Sequence, residues 1–276
     1  MDRHLRKKKI GNAIGSIYAI LLFAFFYTPV VVMIVFSFNK SRANIVWQGF
    51  TTQWYVKLFH DVDLWAIFGK TLLIALIATI IGVVLGTMGA VGLKNARFKG
   101  KKFIMNSIYF PLVIPEIVMA VATLLVFNMG NVSLSMGTII IGNTTLVLPY
   151  VYITVKARLV GMDPSIEEAS MDLGADRFYT FMNITFPAIL PGVMSGAFMA
   201  FSLVLDDLII TSFLTNAETT TLPIKVYSMI KKGVSPEINA LTTIIFGVCA
   251  LGIIIYLVVD LVRAIKVIRK RRSRVL

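Results

Sequence analysis

Five stretches of this chain run for more than 20 residues without an Asp, Glu, Lys or Arg: 10–39, 71–93, 117–155, 178–205 and 238–259. A helix needs about 20 mainly apolar residues to cross the hydrocarbon of a bilayer. A water-soluble core has no room for so much contiguous apolar chain. Of the 276 residues 57% are hydrophobic, against about 45–50% apolar in soluble domains. The chain is expected to be an all-α integral membrane protein, one transmembrane domain over 1–276. Six helices are expected near 14–38, 67–93, 103–127, 138–155, 187–213 and 241–259. The third and fourth share one uncharged run, divided where Asn128-Met129-Gly130-Asn131 and Gly137 supply turn chemistry. Residues 10–39 are too long for a signal-peptide core and precede no small-residue cleavage site, so they are read as a retained first helix.

Lysine and arginine set the orientation. With the N-terminus inside, the inner segments hold 20 of the 27 basic residues and the outer segments seven. Both termini are expected on the cytoplasmic side of a bacterial inner membrane. The net charge of +13 sits at membrane edges, which argues against nucleic acid as a partner. Cys249 is the single cysteine, and no Cys/His spacing suits a metal. There is no phosphate-binding loop and no soluble catalytic domain, so the energy for any work is expected from elsewhere.

The inner loop 156–186 contains a short helix signal. Asp163 can cap an N-terminus, Pro164 fits the first turn, and Gly174 is a natural stop. Ser165 with Glu168 offers a competing capping box. Ile166, Ala169, Ser170 and Leu173 share one face. So short a helix is marginal alone and needs a docking partner.

Permease subunits of bacterial ATP-binding-cassette importers carry the pattern E-A-A, three residues, G, nine residues, I-x-L-P. This sequence resembles it at every spacing: Glu168-Ala169-Ser170, Gly174, then Ile184-Thr185-Phe186-Pro187. Ser170 replaces the second alanine and Phe186 the leucine. The resemblance implies a type I importer permease fold in which 163–175 is the coupling helix that enters a groove on a cytoplasmic ATPase. Asp163, Glu168, Ala169, Ser170, Gly174, Ala175 and Pro187 would form the coupling region. Glu168 would accept a basic or hydrogen-bonding partner, and Gly174 would allow the turn back to the membrane. Trp47-Gln48-Gly49-Phe50-Thr51-Thr52-Gln53-Trp54-Tyr55, Leu205-Asp206-Asp207 and the segments 222–230 and 233–240 look like spermidine/putrescine importer permeases of the PotC type. That implies a second permease of related fold, hence a heterodimer. It also implies two ATPase subunits that bind ATP and Mg, and an extracytoplasmic polyamine-binding protein. No cofactor and no bond chemistry are expected in this chain.

Three carboxylates lie within the apolar spans. Counted along continuous helices at 1.5 Å per residue, Glu116 falls about 20 Å into the third, and Asp206 and Asp207 about 28–30 Å into the fifth. A charge at depth is costly and usually faces a water-filled path or a partner. The path for a cationic cargo is therefore assigned to Glu116, Asp206 and Asp207. On this reading Asp207→Asn cuts uptake and leaves assembly intact. The alternative is that these carboxylates pair with a neighbouring subunit or sit protonated. Pro111 and Pro115 bend the backbone beside Glu116, as happens where irregular chain borders a cavity. Trp54 is a candidate cation contact through its ring face, or an interface anchor. An importer for another solute keeps the same machinery. An ATP-independent channel or secondary transporter leaves the loop pattern without a role.

Overall fold

The computed structural model describes residues 2–41, 46–94, 96–231, 233 and 236–272. Twelve α-helices follow one another among these residues: α1 (Asp2–Phe36), α2 (Gln53–His60), α3 (Val62–Lys94), α4 (Lys101–Val113), α5 (Glu116–Met129), α6 (Met136–Val160), α7 (Pro164–Asp172), α8 (Arg177–Thr180), α9 (Phe186–Asp206), α10 (Ile209–Leu214), α11 (Leu222–Lys231) and α12 (Pro236–Arg272). A π-turn, Phe181–Thr185, joins α8 to α9. Five spans are long and apolar enough to cross a membrane, in α1, α3, α6, α8 with α9, and α12. The pair α4 and α5, bent by 116°, makes up to a sixth.

Two of the expected helices are broken, and each break has a local cause. In 103–127 the chain leaves the helix at Ile114 (φ −80°, ψ 132°), because the ring of Pro115 disfavours helical backbone at the residue before it. Glu116 is thus the first residue of α5 rather than a position deep in a continuous rod. In 187–213 the chain leaves the helix at Asp207 (φ −64°, ψ 116°) and α10 starts two residues on. The depth count for Glu116 therefore does not apply, whereas Asp206, the last residue of the continuous α9, keeps its place about 28 Å along the helix. The segments around α2 and α11, which lie between the expected spans, contain a helix each.

The contacts group the chain into two compact units, residues 1–62 with 228–276 and residues 63–227. In the first, α1 and α2 each pack on α12, and Lys57 pairs with Glu237 at 2.8 Å. Its buried polar centre is Asn39. The Asn39 side chain donates to the Val46 carbonyl at 2.8 Å and accepts from the Gln48 amide at 2.9 Å. Its own carbonyl accepts from the Trp54 indole N–H at 2.8 Å.

In the second unit α6 is the central rod. Val147, Val151, Tyr152 and Val155 are all buried, and α3, α4, α9 and α10 pack around it. Small residues let the backbones close up, as they do between membrane helices. A Cβ on Gly86 of α3 would stand 2.8 Å from Val151 Cβ, and one on Gly196 of α9 2.6 Å from Thr154 Oγ1. Large side chains on α1, such as Phe25 and Phe26, are left exposed, which suits a lipid-facing or subunit-facing surface.

Candidate functional site

Two constructions in the second unit hold the residues singled out by the sequence. The first is the loop helix α7. Asp163 caps it by accepting from the Ser165 amide at 3.0 Å, and hydrogen bonds from Ser165 hold its carboxyl below the usual range. Asp163 therefore takes the cap that the Ser165 and Glu168 pair competes for. At the other end Gly174 adopts φ +90°, a conformation other residues enter at a cost. There the Gly174 amide donates to Met171 at 2.9 Å and the Ala175 amide to Ser170 at 3.2 Å. These two bonds make the paired stop that satisfies the last carbonyls of a helix.

α7 is fastened to the rest of the unit by two side chains. Glu167 accepts from Lys94 Nζ at 2.8 Å with one oxygen and from Thr185 Oγ1 at 2.7 Å with the other. Burial pushes the Glu167 carboxyl up, but these two bonds and the Lys94 charge outweigh it and hold the group below its ordinary value. Ser170 is buried, with its hydroxyl 3.1 Å from that of Thr180. The departure from alanine at this position thus has a use, since the hydroxyl ties α7 to α8. Glu168 points away and is exposed. Beside it Ile166, Ala169, Leu173, Ala175 and Tyr179 line a shallow groove. Leu173 is 90% exposed, so this apolar face has no partner within the described chain. Pro187 lies just beyond the π-turn, in the first turn of α9.

The second construction is a cavity of about 480 Å³ lined by Glu116, Asp206 and Asp207 together with Tyr150 and Ser202. The two helix breaks create it: one starts α5 at Glu116, the other ends α9 at Asp206. The three carboxylates are not equivalent. Asp206 is exposed. Glu116 is partly buried and its carboxyl faces that of Asp207. Asp207 is buried and fully engaged. One oxygen accepts from the Ile210 amide at 3.0 Å. The other accepts from the Thr211 amide at 2.8 Å, the Thr211 hydroxyl and Asn143 Nδ2 at 3.1 Å. A carboxylate holding the first amides of a helix is a cap, and here it makes the break itself. Asn143 Oδ1 is buried beside this network with no hydrogen-bond partner, an acceptor left open.

Trp54 is 7% exposed and its indole N–H is spent on Asn39. Its site is a packed loop of the first unit, not a free aromatic face. Asn143 and Thr211 were not foreseen as part of the acidic site. Asp207 followed four residues later by Thr211, just before an apolar run, is the signal that could have shown a helix start there. Among the described residues no cluster of three or more His, Cys, Asp or Glu is arranged to hold a metal ion.

Membrane-spanning helices around a central rod, with a capped helix held out on an inter-span loop, define a transport permease subunit. The chain belongs to the family of binding-protein-dependent transport system inner membrane components, whose pattern matches residues 78–272. It is 37% identical over 236 residues to the spermidine/putrescine transport system permease protein PotC of Escherichia coli (strain K12), across 86% of this chain and 89% of that protein. It is 40% identical over 242 residues to the putrescine transport system permease protein PotI of the same strain, across 85% of each. A solved structure of a bacterial ABC transporter involved in the import of the acidic polysaccharide alginate shares the fold. The TM-score is 0.70 at 16% identity, over 92% of this chain and 97% of that one. The MetNI methionine ABC transporter in an inward-facing conformation gives 0.58 at 18% identity, over 73% and 95%.

Proposed function

We propose that this chain is the membrane permease of an ATP-driven importer whose cargo is a polyamine, spermidine or putrescine. The observation that carries the reading is the cavity in which Glu116, Asp206 and Asp207 converge. A polyamine is a flexible chain of ammonium groups separated by methylenes. Carboxylates on a cavity wall can replace part of its hydration, and like charges held close together are relieved by a cation between them. Leu146, Leu203 and Ile209 line the same space and suit the methylenes. Asp206 and Glu116 are the groups that meet cargo. Asp207 is a positioning residue that shapes the wall. The relatives named above as spermidine/putrescine and putrescine permeases support the same cargo class.

In this reading the chain pairs with a second permease of related fold, and an extracytoplasmic binding protein delivers the cargo. Two ATPase subunits bind ATP and Mg. Both termini face the cytoplasm, on the strength of the basic residues gathered in the inner segments. The exposed face of α7, with Glu168 at its side, enters the ATPase. Closure of the ATPases on ATP then moves α6 and α9, which the loop 161–185 joins.

The test is labelled spermidine uptake in polyamine-uptake-deficient cells expressing the whole operon with and without this gene, in the presence and absence of unlabelled putrescine. ATP-dependent uptake that vanishes without the gene is the expected result. No uptake in either strain, with the permease inserted and the ATPase assembled, would overturn the polyamine assignment and leave the importer fold.

A further inference from the structure

A second cavity, of about 340 Å³, opens between the ends of α3, α4 and α6 where they approach α7. Its chemistry is the reverse of the acidic site. Lys94, Lys101 and Lys156 line it, and Leu93, Met105 and Leu159 give it an apolar wall. Lys94 is the lysine that holds Glu167. Lys156 is fixed by aromatic rings: its Nζ lies 5.6 Å from the Tyr109 centroid and 5.5 Å from that of Tyr152. It also donates to the Tyr109 hydroxyl at 3.2 Å. Those rings meet edge to face at 5.7 Å. Among the described residues neither Lys101 nor Lys156 is paired with a carboxylate. Two ammonium groups are thus directed at one partly apolar space without a counter-charge, at the membrane edge where anionic headgroups lie.

We infer that this cavity is a binding site for the phosphate headgroup of an anionic phospholipid, with Lys101 and Lys156 on the phosphate and the acyl chain along Leu93, Met105 and Leu159. Basic pockets between helix ends on the cytoplasmic side suit such headgroups. A polyamine has no business in a cavity of this sign, so the site is separate from the cargo path. The inference rests on the cytoplasmic placement of this face given above. Because Lys94 lines the cavity and Pro164, the first residue of α7, borders it, the headgroup would lie beside the ammonium group that holds α7.

The experiment uses the purified, assembled importer, delipidated in detergent and titrated with phosphatidylglycerol or phosphatidylcholine, with bound lipid counted by native mass spectrometry. The wild type is expected to retain phosphatidylglycerol in preference to phosphatidylcholine. Lys101→Gln is expected to weaken that retention about fivefold, and the addition of Lys156→Gln to weaken it again by a similar factor. Lys156→Arg, which keeps the charge, is expected to retain binding. Equal retention by wild type and double variant, or no preference between the two lipids, would overturn the proposal. Loss of binding in Lys156→Arg would do so too, by showing packing rather than charge at work. Displacement by an equal concentration of inorganic phosphate would reassign the site to a free anion. The readout needs no transport, so failed polyamine uptake would not imitate a negative result here.

Discussion

The loop helix and the acidic cavity lie in one unit of the chain but are specified in different ways. α7 is written locally. Its cap, first-turn proline and left-handed stop fall within 12 residues, 163–174. The cavity is assembled from Glu116, Tyr150 and Asp206, drawn from three separate helices, and its shape depends on two helix breaks. A local device can be altered one residue at a time and fail gradually. A site made by breaks fails when the residue that makes a break is changed.

That contrast can be tested from its strongest consequence downward. Asp207→Asn turns an amide donor toward the Thr211 amide and Asn143 Nδ2, which already donate there. A buried group left mispaired costs about 1–3 kcal/mol. The variant is expected to lower the amount of assembled permease, measured by detergent-resistant copurification, and not uptake alone. Normal assembly with lost uptake would return Asp207 to a direct cargo role. Asp206→Asn, at an exposed carboxylate, should leave assembly untouched and reduce spermidine uptake about tenfold, equivalent to about 1.4 kcal/mol in transport-competent binding. Glu168→Lys leaves every bond described for α7 in place. It is expected to lower ATPase copurification severalfold while the membrane subunits stay assembled. Gly174→Ala forces a side chain to φ +90° at about 1–2 kcal/mol. It should show as faster hydrogen exchange in 164–174 with no change around Asp207.

The smallest effect is a pH dependence. The Glu167 carboxyl sits below its ordinary value in the folded chain, so its bonds to Lys94 and Thr185 stabilise the loop above that ordinary value. They are lost as pH falls through the lower, folded value. The protection of α7 against hydrogen exchange, corrected for the intrinsic pH dependence of exchange, should therefore be flat near neutrality and fall in acid. Glu167→Gln should show low protection at both, and a fall in acid that persists in Glu167→Gln would point to another group.

Much of the fold could be read from the absence of charge along the chain, because the bilayer forbids unpaired charge over the length of a span. The bend before Glu116 was legible in Pro115. No glycine or proline marks the break at Asp207; the spacing of Asp207 and Thr211 is its only sequence trace, and a side chain does the work that those residues do elsewhere. The bond made by Trp54 was not legible in the sequence. Its aromatic neighbours fit a membrane interface in composition, while the buried Asn39 carbonyl that claims its indole is visible only in three dimensions. The ends of α7 were legible because capping is a short-range code. What the code left open was which glutamate faces outward: Glu167 and Glu168 are adjacent and chemically alike, and only the position of Lys94 makes one a tether and the other a free contact.

The π-turn before α9 bears on the angle at which the loop helix is presented. In a regular helix, side chains five residues apart diverge by about 140° around the axis. Thr180 and Thr185 are five residues apart, yet both reach α7, one at Ser170 and the other at Glu167. The wide turn, closed by the Phe186 amide on the Phe181 carbonyl, under-rotates the chain enough to bring them to the same side. It works as a vernier between two registers. A single residue's worth of slack fixes the azimuth of α7, and with it the direction in which any push on that helix enters the membrane.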